Sequence, residues 1–186
     1  MIKKLLKSID TVSESCWLCL THKRNPPTPV VSLPLAADFN EVVAMDLITI
    51  RQGCWIVHLI DMFSRYSVAT LTRTKKCGAV SEIIMKSWIA YFGKPKRFIA
   101  DNGGEFSGSE YTDMCEMFDV EMMKAAAESP WSNGLCERHN GVIKESIVKT
   151  MEDSKCSLET ATSWATSAKN SLLGHLGYSP NILVFG

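Results

Sequence analysis

Arg97-Phe98-Ile99-Ala100-Asp101-Asn102-Gly103-Gly104-Glu105-Phe106 is the stretch on which the fold turns. A short apolar run stops at an acidic residue, and a polar, glycine-rich turn follows at once. Apolar runs of this length bounded by turn residues read as buried strands. Asp101 is then expected at the C-terminal tip of a strand, where open α/β sheets place their ligand crevices. Two glycines beside it allow backbone or ligand to approach closely. Asp-Asn-Gly is also ordinary turn chemistry, so Asp101 decides nothing by itself.

Two further acids change that. Asp46 interrupts the run from Phe39 to Ile50, in which Val42, Val43, Ala44, Met45, Leu47, Ile48 and Ile50 spell a buried strand. A charge there is costly unless it is paired, hydrogen-bonded or bound to metal. Glu137 lies in Ser129-Pro130-Trp131-Ser132-Asn133-Gly134-Leu135-Cys136-Glu137-Arg138-His139-Asn140, just inside an expected helix start near Leu135, and 35 residues separate it from Asp101. Each acid has a plain structural reading: a turn residue for Asp101, and for Glu137 a first-turn helix acid favoured by the macrodipole. Asp46 is the hardest to explain that way. Together the three make catalysis the favoured account.

In this context the chain resembles the catalytic core of retroviral and LTR-retrotransposon integrases, which carries a D,D-35-E triad. The resemblance covers about residues 39 to 186. It rests on Asp46 in its strand, Asp101-Asn102-Gly103-Gly104-Glu105-Phe106, and Ser129-Pro130-x-Ser132-Asn133-Gly134-x-x-Glu137-Arg138. It also rests on the Ile60-Asp61-x-x-Ser64-Arg65-Tyr66 segment and the stretch from Gly177 to Gly186. The implied fold is α/β and RNase H-like: a five-stranded mixed sheet flanked by helices, with Asp46 and Asp101 on adjacent strands.

The resemblance also implies a chemistry. Three carboxylates in one crevice repel each other, and an all-oxygen donor set favours Mg²⁺ or Mn²⁺ over zinc. Two ions roughly 3.5–4 Å apart serve an in-line displacement at phosphorus. Asp46 would bridge both ions, with Asp101 and Glu137 completing one shell each. The attacking groups would be water, trimming a DNA 3′ end, and then that 3′-hydroxyl, joining it to target DNA. The family's partners are implied as well: element ends and target DNA, and further copies of the chain in a multimer, with a nuclear location. No covalent enzyme intermediate is needed, so the cysteines and serines need no nucleophilic role. A related nuclease of the same fold, or a domesticated or truncated copy that binds DNA or a partner without catalysis, are the other readings. The intact triad argues against the last.

Composition is compatible with this. Of 186 residues, 46% are hydrophobic and 22% charged, enough for one packed α/β domain with an appendage. Lys+Arg and Asp+Glu are both 20, so any DNA-binding surface must be a local basic groove. Seven cysteines, an odd number, without disulfide-like spacing suggest reduced thiols and an intracellular protein. No run approaches the ~18 apolar residues of a membrane span, and residues 1 to 10 lack the apolar core of a signal peptide.

Residues 1 to 36 form the expected appendage and 37 to 186 the core. Cys16-Trp17-Leu18-Cys19 with His22 offers three zinc ligands where a structural site needs four. The family's paired histidines would lie upstream, and none precedes Cys16, so a remnant with two unliganded thiols is favoured over a working zinc site. Asn25-Pro26-Pro27-Thr28-Pro29 reads as a stiff linker. The chain stops at Gly186, where the family's C-terminal DNA-binding domain would follow. The core alone is therefore expected to favour the simpler reverse reaction over concerted integration.

From Phe39 the pattern predicts an antiparallel meander of three strands, the first two joined by a hairpin at Arg51-Gln52-Gly53. Asp61 is expected to hold a turn, and His58 to be a satisfied core histidine rather than a ligand. Val80, Ile83, Ile84, Trp88 and Tyr91 predict a helix over 79 to 92, ended by Gly93 and Pro95. A helix near 109 to 118, a short strand at 120 to 124 and a helix from Leu158 to Leu172 complete the core. On the helix after Leu135, the i, i+4, i+7 rule puts Glu137, Gly141, Lys144 and Val148 on one face. The family uses a lysine where Lys144 stands to hold DNA phosphate or a terminal base; a solvated helix lysine is the equal alternative. Asn133, in the loop from Glu128 to Gly134, resembles the mobile active-site loop that touches DNA. Lys94, Lys96 and Arg97 form a basic cluster whose default reading is a solvated surface.

Overall fold

β-Branched and aliphatic residues fill three consecutive runs, and each forms a strand: β1 Val42–Arg51, β2 Cys54–Asp61 and β3 Ser67–Thr72. The computed structural model describes residues 36–124, 134–174 and 177–186. Residues 1 to 35, with Cys16, Cys19, His22 and the proline-rich stretch, lie outside the described residues, as does Asn133. Gly53 takes φ 74°, the left-handed conformation that closes the β1–β2 hairpin as expected.

The sheet runs in the order β3-β2-β1-β4-β5. β1, β2 and β3 pair antiparallel, whereas β4 (Arg97–Ala100) pairs parallel with β1, and β5 (Glu121–Lys124) parallel with β4. This is the expected five-stranded mixed sheet. Parallel neighbours need crossovers, and helices supply them. The first, α1, is one continuous helix made of Cys77–Ile84, a wide π turn at Met85–Ile89, and Ala90–Phe92. The second, α2, spans Ser109–Phe118. Three more helices follow: α3 Gly134–Ser154, α4 Leu158–Ser171 and α5 Pro180–Phe185.

Alternation along the strands splits the core into two faces. Val43, Met45, Val57, Leu59 and Phe98 pack with Val80, Ile84 and Trp88 of α1 and Met114 of α2. On the other face Ile48 and Ile56 meet Ile143 and Ile147 of α3 and Ala161 and Ala165 of α4. Val42, Ala44, Ile60 and Ile99 share that side with Cys136 at the start of α3. Burying an isoleucine such as Ile143 or Ile147 contributes about 1.5–3 kcal/mol, so α3 is fixed on the sheet by its apolar stripe. That stripe decides which residues its first turn presents to β1.

The expected helix over 79 to 92 starts two residues earlier, and its regular spacing is broken by the π turn. This turn carries Trp88, fully buried, with its indole N–H donating to Asn40 Oδ1 at 2.9 Å. Gly93, at φ 77°, ends the helix as read from the sequence. The Asn40 side chain also donates to Phe92 O at 2.9 Å, tying the end of α1 to the entry of β1. Among the described residues no helix is long and apolar enough to cross a membrane. The described cysteines, Cys54, Cys77, Cys115, Cys136 and Cys156, are free thiols.

Candidate active site

Asp46 and Asp101 owe their proximity to strand register. β1 and β4 pair as Val43↔Phe98 and Ala44↔Ile99; the same register, continued one residue past the end of β4 at Ala100, brings Asp101 level with Asp46. Period-two alternation puts both on the face of Ala44 and Ile99, the one covered by α3. Glu137 follows Cys136 in the first turn of α3, and Cys136 is buried against the same face. The two strands concerned are adjacent as expected, with Asp46 inside β1 and Asp101 immediately after β4.

The electrostatics of Asp46 register both other acids. Burial raises its pKa above the usual carboxylate value, and the charges of Asp101 and Glu137 push the same way. The Leu47 N–H, donating at 2.7 Å, and the Asn140 side chain oppose the rise. No lysine or arginine is among these influences, and among the described residues no ion pair involves Asp46, Asp101 or Glu137. At Asp101 the carboxylate accepts the Gly103 N–H at 2.9 Å, an Asx-type turn. A Cβ at Gly103 would lie 2.9 Å from both Asp101 Oδ1 and the Glu105 carboxyl carbon. The glycine is what lets that turn fold so tightly against Asp101, and it sets Glu105 beside it.

The expectation of metal-bridging reach needs correcting. Among the described residues no three His, Cys, Asp or Glu side chains are gathered closely enough to hold an ion. Asp46 feels the charges of both other acids, and like charges repel. Their chemistry still fits one class of ligand. Three carboxylates with no ion pair among the described residues, one of them half-desolvated in a strand, are the donor types of a hard divalent cation.

Asp46 also has a support that the sequence reading missed. Its Oδ2 accepts the Asn140 Nδ2–H at 2.5 Å. Asn140 Oδ1 lies 2.5 Å from His58 Nδ1, and His58 Nε2 lies 2.9 Å from Ser67 Oγ. His58 is the cross-strand partner of Asp46; it is fully buried, and burial pushes its pKa down to about 3. As expected it is a satisfied core histidine, but its partner leads to the candidate catalytic acid. One available signal was the spacing of Glu137 and Asn140, which puts them on one helical face. The Asp46↔His58 pairing depends on hairpin register, which that spacing does not encode.

The remaining assignments sort cleanly. Asp61 holds a turn as expected, accepting the N–H groups of Asn40, Phe63 and Ser64 at 2.9, 3.1 and 2.6 Å, and the Ser64 hydroxyl at 2.7 Å. Cys136 is buried and its thiol pKa is pushed well up, first by burial and then by the three acids, so it is no nucleophile. Lys144 is exposed on the same outward face as Glu137, Gly141 and Val148, and forms no ion pair among the described residues. Lys94, Lys96 and Arg97 are each paired, with Asp119, Glu41 and Glu121 at 3.0, 3.0 and 2.7 Å.

Known proteins resemble this chain in sequence and in fold. The family described as "Integrase core domain" matches residues 37–130. The Gag-Pol polyprotein of avian reticuloendotheliosis virus is 28% identical over 153 residues, which cover 78% of this chain but 13% of the polyprotein. This chain thus spans a small part of the relatives it matches. The simian T-cell lymphotropic virus intasome, solved with the PP2A regulatory subunit B56 gamma, contains a chain of the same fold. It aligns with a TM-score of 0.77 at 22% identity over 97% of this chain and 66% of that one. The HTLV-2 integrase catalytic core in complex with magnesium aligns with a TM-score of 0.68 at 20% identity, over 79% of this chain and 97% of that one. By its sequence match, and with the fold to go with it, the chain belongs to the integrase core domain family.

Proposed function

We propose that this core carries out metal-dependent phosphoryl transfer on DNA, hydrolysing at a 3′ end and joining that end to target DNA. The observation that carries this is Asp46 in β1 beside Asp101 at the end of the adjacent parallel β4, with Glu137 entering from α3 and, among the described residues, no ion pair to any of the three. These carboxylates would hold two Mg²⁺ or Mn²⁺ ions. Bound there, such ions supply activation of an attacking oxygen and stabilisation of the leaving one.

The chain's own residues do the rest. The Leu47 and Asn140 N–H groups orient Asp46 and favour its ionised form against the effect of burial, and Gly103 holds Asp101 at its turn. Lys144, exposed and unpaired among the described residues, offers a phosphate contact on the Glu137 side of α3, and Asn133 is the proposed contact from the preceding loop. Net neutrality requires positive charge to be local. Arg65, Arg138, His139 and Lys169 line one depression beside the start of α3, with no acid among its lining residues. The relatives support the partners: the HTLV-2 core contains magnesium and is found in dimeric and trimeric forms, and the simian virus chain comes from an intasome. On this reading the protein works in the nucleus as a homo-oligomer on DNA ends. A strand-transfer assay on labelled oligonucleotide ends with Mg²⁺ or Mn²⁺ tests it. Joined products with the unaltered chain and none with Asp101→Asn are expected; equal products from both would reject it.

A further inference from the structure

Behind Asp46 the hydrogen bonds have a forced direction. An ionised carboxylate only accepts, so Asn140 turns its amide nitrogen to Asp46 Oδ2 and its oxygen, Oδ1, toward His58. That oxygen also only accepts, so the proton of a neutral His58 sits on Nδ1. Nε2 is then an acceptor, and the Ser67 hydroxyl donates to it. Ser67 is fixed in turn by Asn170 of α4, whose side chain accepts the Ser67 N–H at 2.9 Å and donates to Ser67 O at 2.8 Å. Every donor in this line points at the carboxylate. His58 and Ser67 are buried, with 0% and 1% of their surface exposed, so water does not compete for either bond.

We propose that His58, backed by Ser67, is a positioning residue for the active site, locking the Asn140 amide so that its N–H holds Asp46 Oδ2 in one orientation. The inference rests on the reading of Asp46 as a metal-binding carboxylate. Without the imidazole N–H, only the weak thiol donor of Cys136, at 3.9 Å, is left to hold Asn140 Oδ1 away from Asp46. An amide turned the other way would set oxygen against oxygen. Partners that orient metal-binding carboxylates in this manner typically change metal affinity or activity by about 10–100-fold when removed. A histidine serving only as core filler would change folding stability and nothing else. The groups facing His58 are Asn140 and Cys136 of α3, at 2.5 and 3.9 Å, and Ser67 of β3. Among the described residues no carboxylate bonds the ring directly, so its effect on Asp46 passes through Asn140.

The test uses the whole chain and two readouts. In metal-free protein, long-range ¹H–¹⁵N correlation at the His58 ring is expected to show the Nδ1–H tautomer, the minor form of free imidazole side chains; the Nε2–H tautomer would overturn the proposal. Mn²⁺ binding, followed by electron paramagnetic resonance, is then compared with thermal melts of the same variants. His58→Leu is expected to weaken binding by about 10–100-fold among folded molecules. His58→Asn, which places an amide N–H where Nδ1 stands, should recover most of that loss. Unchanged binding in a folded His58→Leu, or no recovery in a folded His58→Asn, refutes the assignment. If His58→Leu does not fold, Ser67→Ala with the ring tautomer decides: loss of the Nδ1–H preference supports the relay, and its retention with unchanged Mn²⁺ binding overturns it. Asp46→Asn separates the two readings. If it binds Mn²⁺ as the unaltered chain does, the metal site itself falls, whatever the His58 tautomer.

Discussion

Adding one methyl group at Gly103 should separate folding from chemistry. A Cβ there would sit 2.9 Å from Asp101 Oδ1 and from Glu105 Oε2. Ordinary contact begins near 3.4 Å, so the two carboxylates must retreat by about 0.5–1 Å to admit Gly103→Ala. Both are side-chain ends and can move. Gly103 has φ −58°, a conformation alanine adopts without strain. Replacing glycine stabilises by about 0.4–1 kcal/mol through the unfolded chain. The exposed Gly103 N–H to Asp101 bond, at risk from the shift, is worth about 1 kcal/mol or less. The two offset, and the melting temperature should hardly change. Activity should fall by about 100-fold, the cost of misplacing a reacting group by about 1 Å. Gly104→Ala is the internal control, because a Cβ there meets nothing within 4 Å. Melts and Mg²⁺-dependent strand transfer on both variants make the comparison. Gly103→Ala with full activity, or Gly104→Ala losing as much, would refute the placement of Asp101.

Acid should weaken the fold through His58. His58 has a native pKa of about 3 against 6.5 when unfolded, so its contribution is complete above pH 6.5 and is lost as pH falls toward 3. The slope approaches about 1.4 kcal/mol per pH unit below 6.5. Asp46 and Asp61 are raised from 3.8; they bind protons more readily when folded, so acid favours the fold through them and opposes the His58 effect. Denaturant melts at pH 7 and pH 5 check this, and equal stabilities would refute it. Asp61→Ala, which strips four hydrogen bonds from a buried turn, should destabilise by about 2–4 kcal/mol in the same melts; a loss below about 1 kcal/mol would deny the carboxylate its structural role. Lys144→Ala should lower DNA affinity without changing base preference and reduce the salt slope by about one, measured by fluorescence anisotropy across a salt series. Lys94→Ala, already neutralised by Asp119, should not; equal effects from the two would remove Lys144 as a specific contact.

What the sequence alone made legible followed from local rules. A charge in an unbroken aliphatic run flagged Asp46, a strand halted at an Asx turn flagged Asp101, and their level placement follows once β4 lies parallel to β1. The supporting residues were hidden because they depend on pairing between distant segments. Asn140 reaches Asp46 across 94 positions of sequence, and His58 reaches Asn140 across 82. Nothing in Trp55 to Leu59 says which residue of β1 it will face. Lys94, Lys96 and Arg97 show the same limit from the other side. They form a cationic run in sequence, and each is neutralised by an acid brought from another segment. The π turn of α1 is invisible to a 3.6-residue period, since it adds a residue without disturbing the apolar character of the helix.

The claim that Asp46, Asp101 and Glu137 form one catalytic unit is met most directly by single-turnover cleavage of a labelled DNA end with Mg²⁺. Asp46→Asn, Asp101→Asn, Glu137→Gln and the triple variant are compared with the unaltered chain, all confirmed folded by melting. Groups that act as one unit are grossly non-additive. Each single change should therefore abolish nearly all cleavage, and the triple variant should be no worse than the most damaging single. Cleavage that survives in any one single variant, or losses that multiply from one variant to the next, would contradict the account.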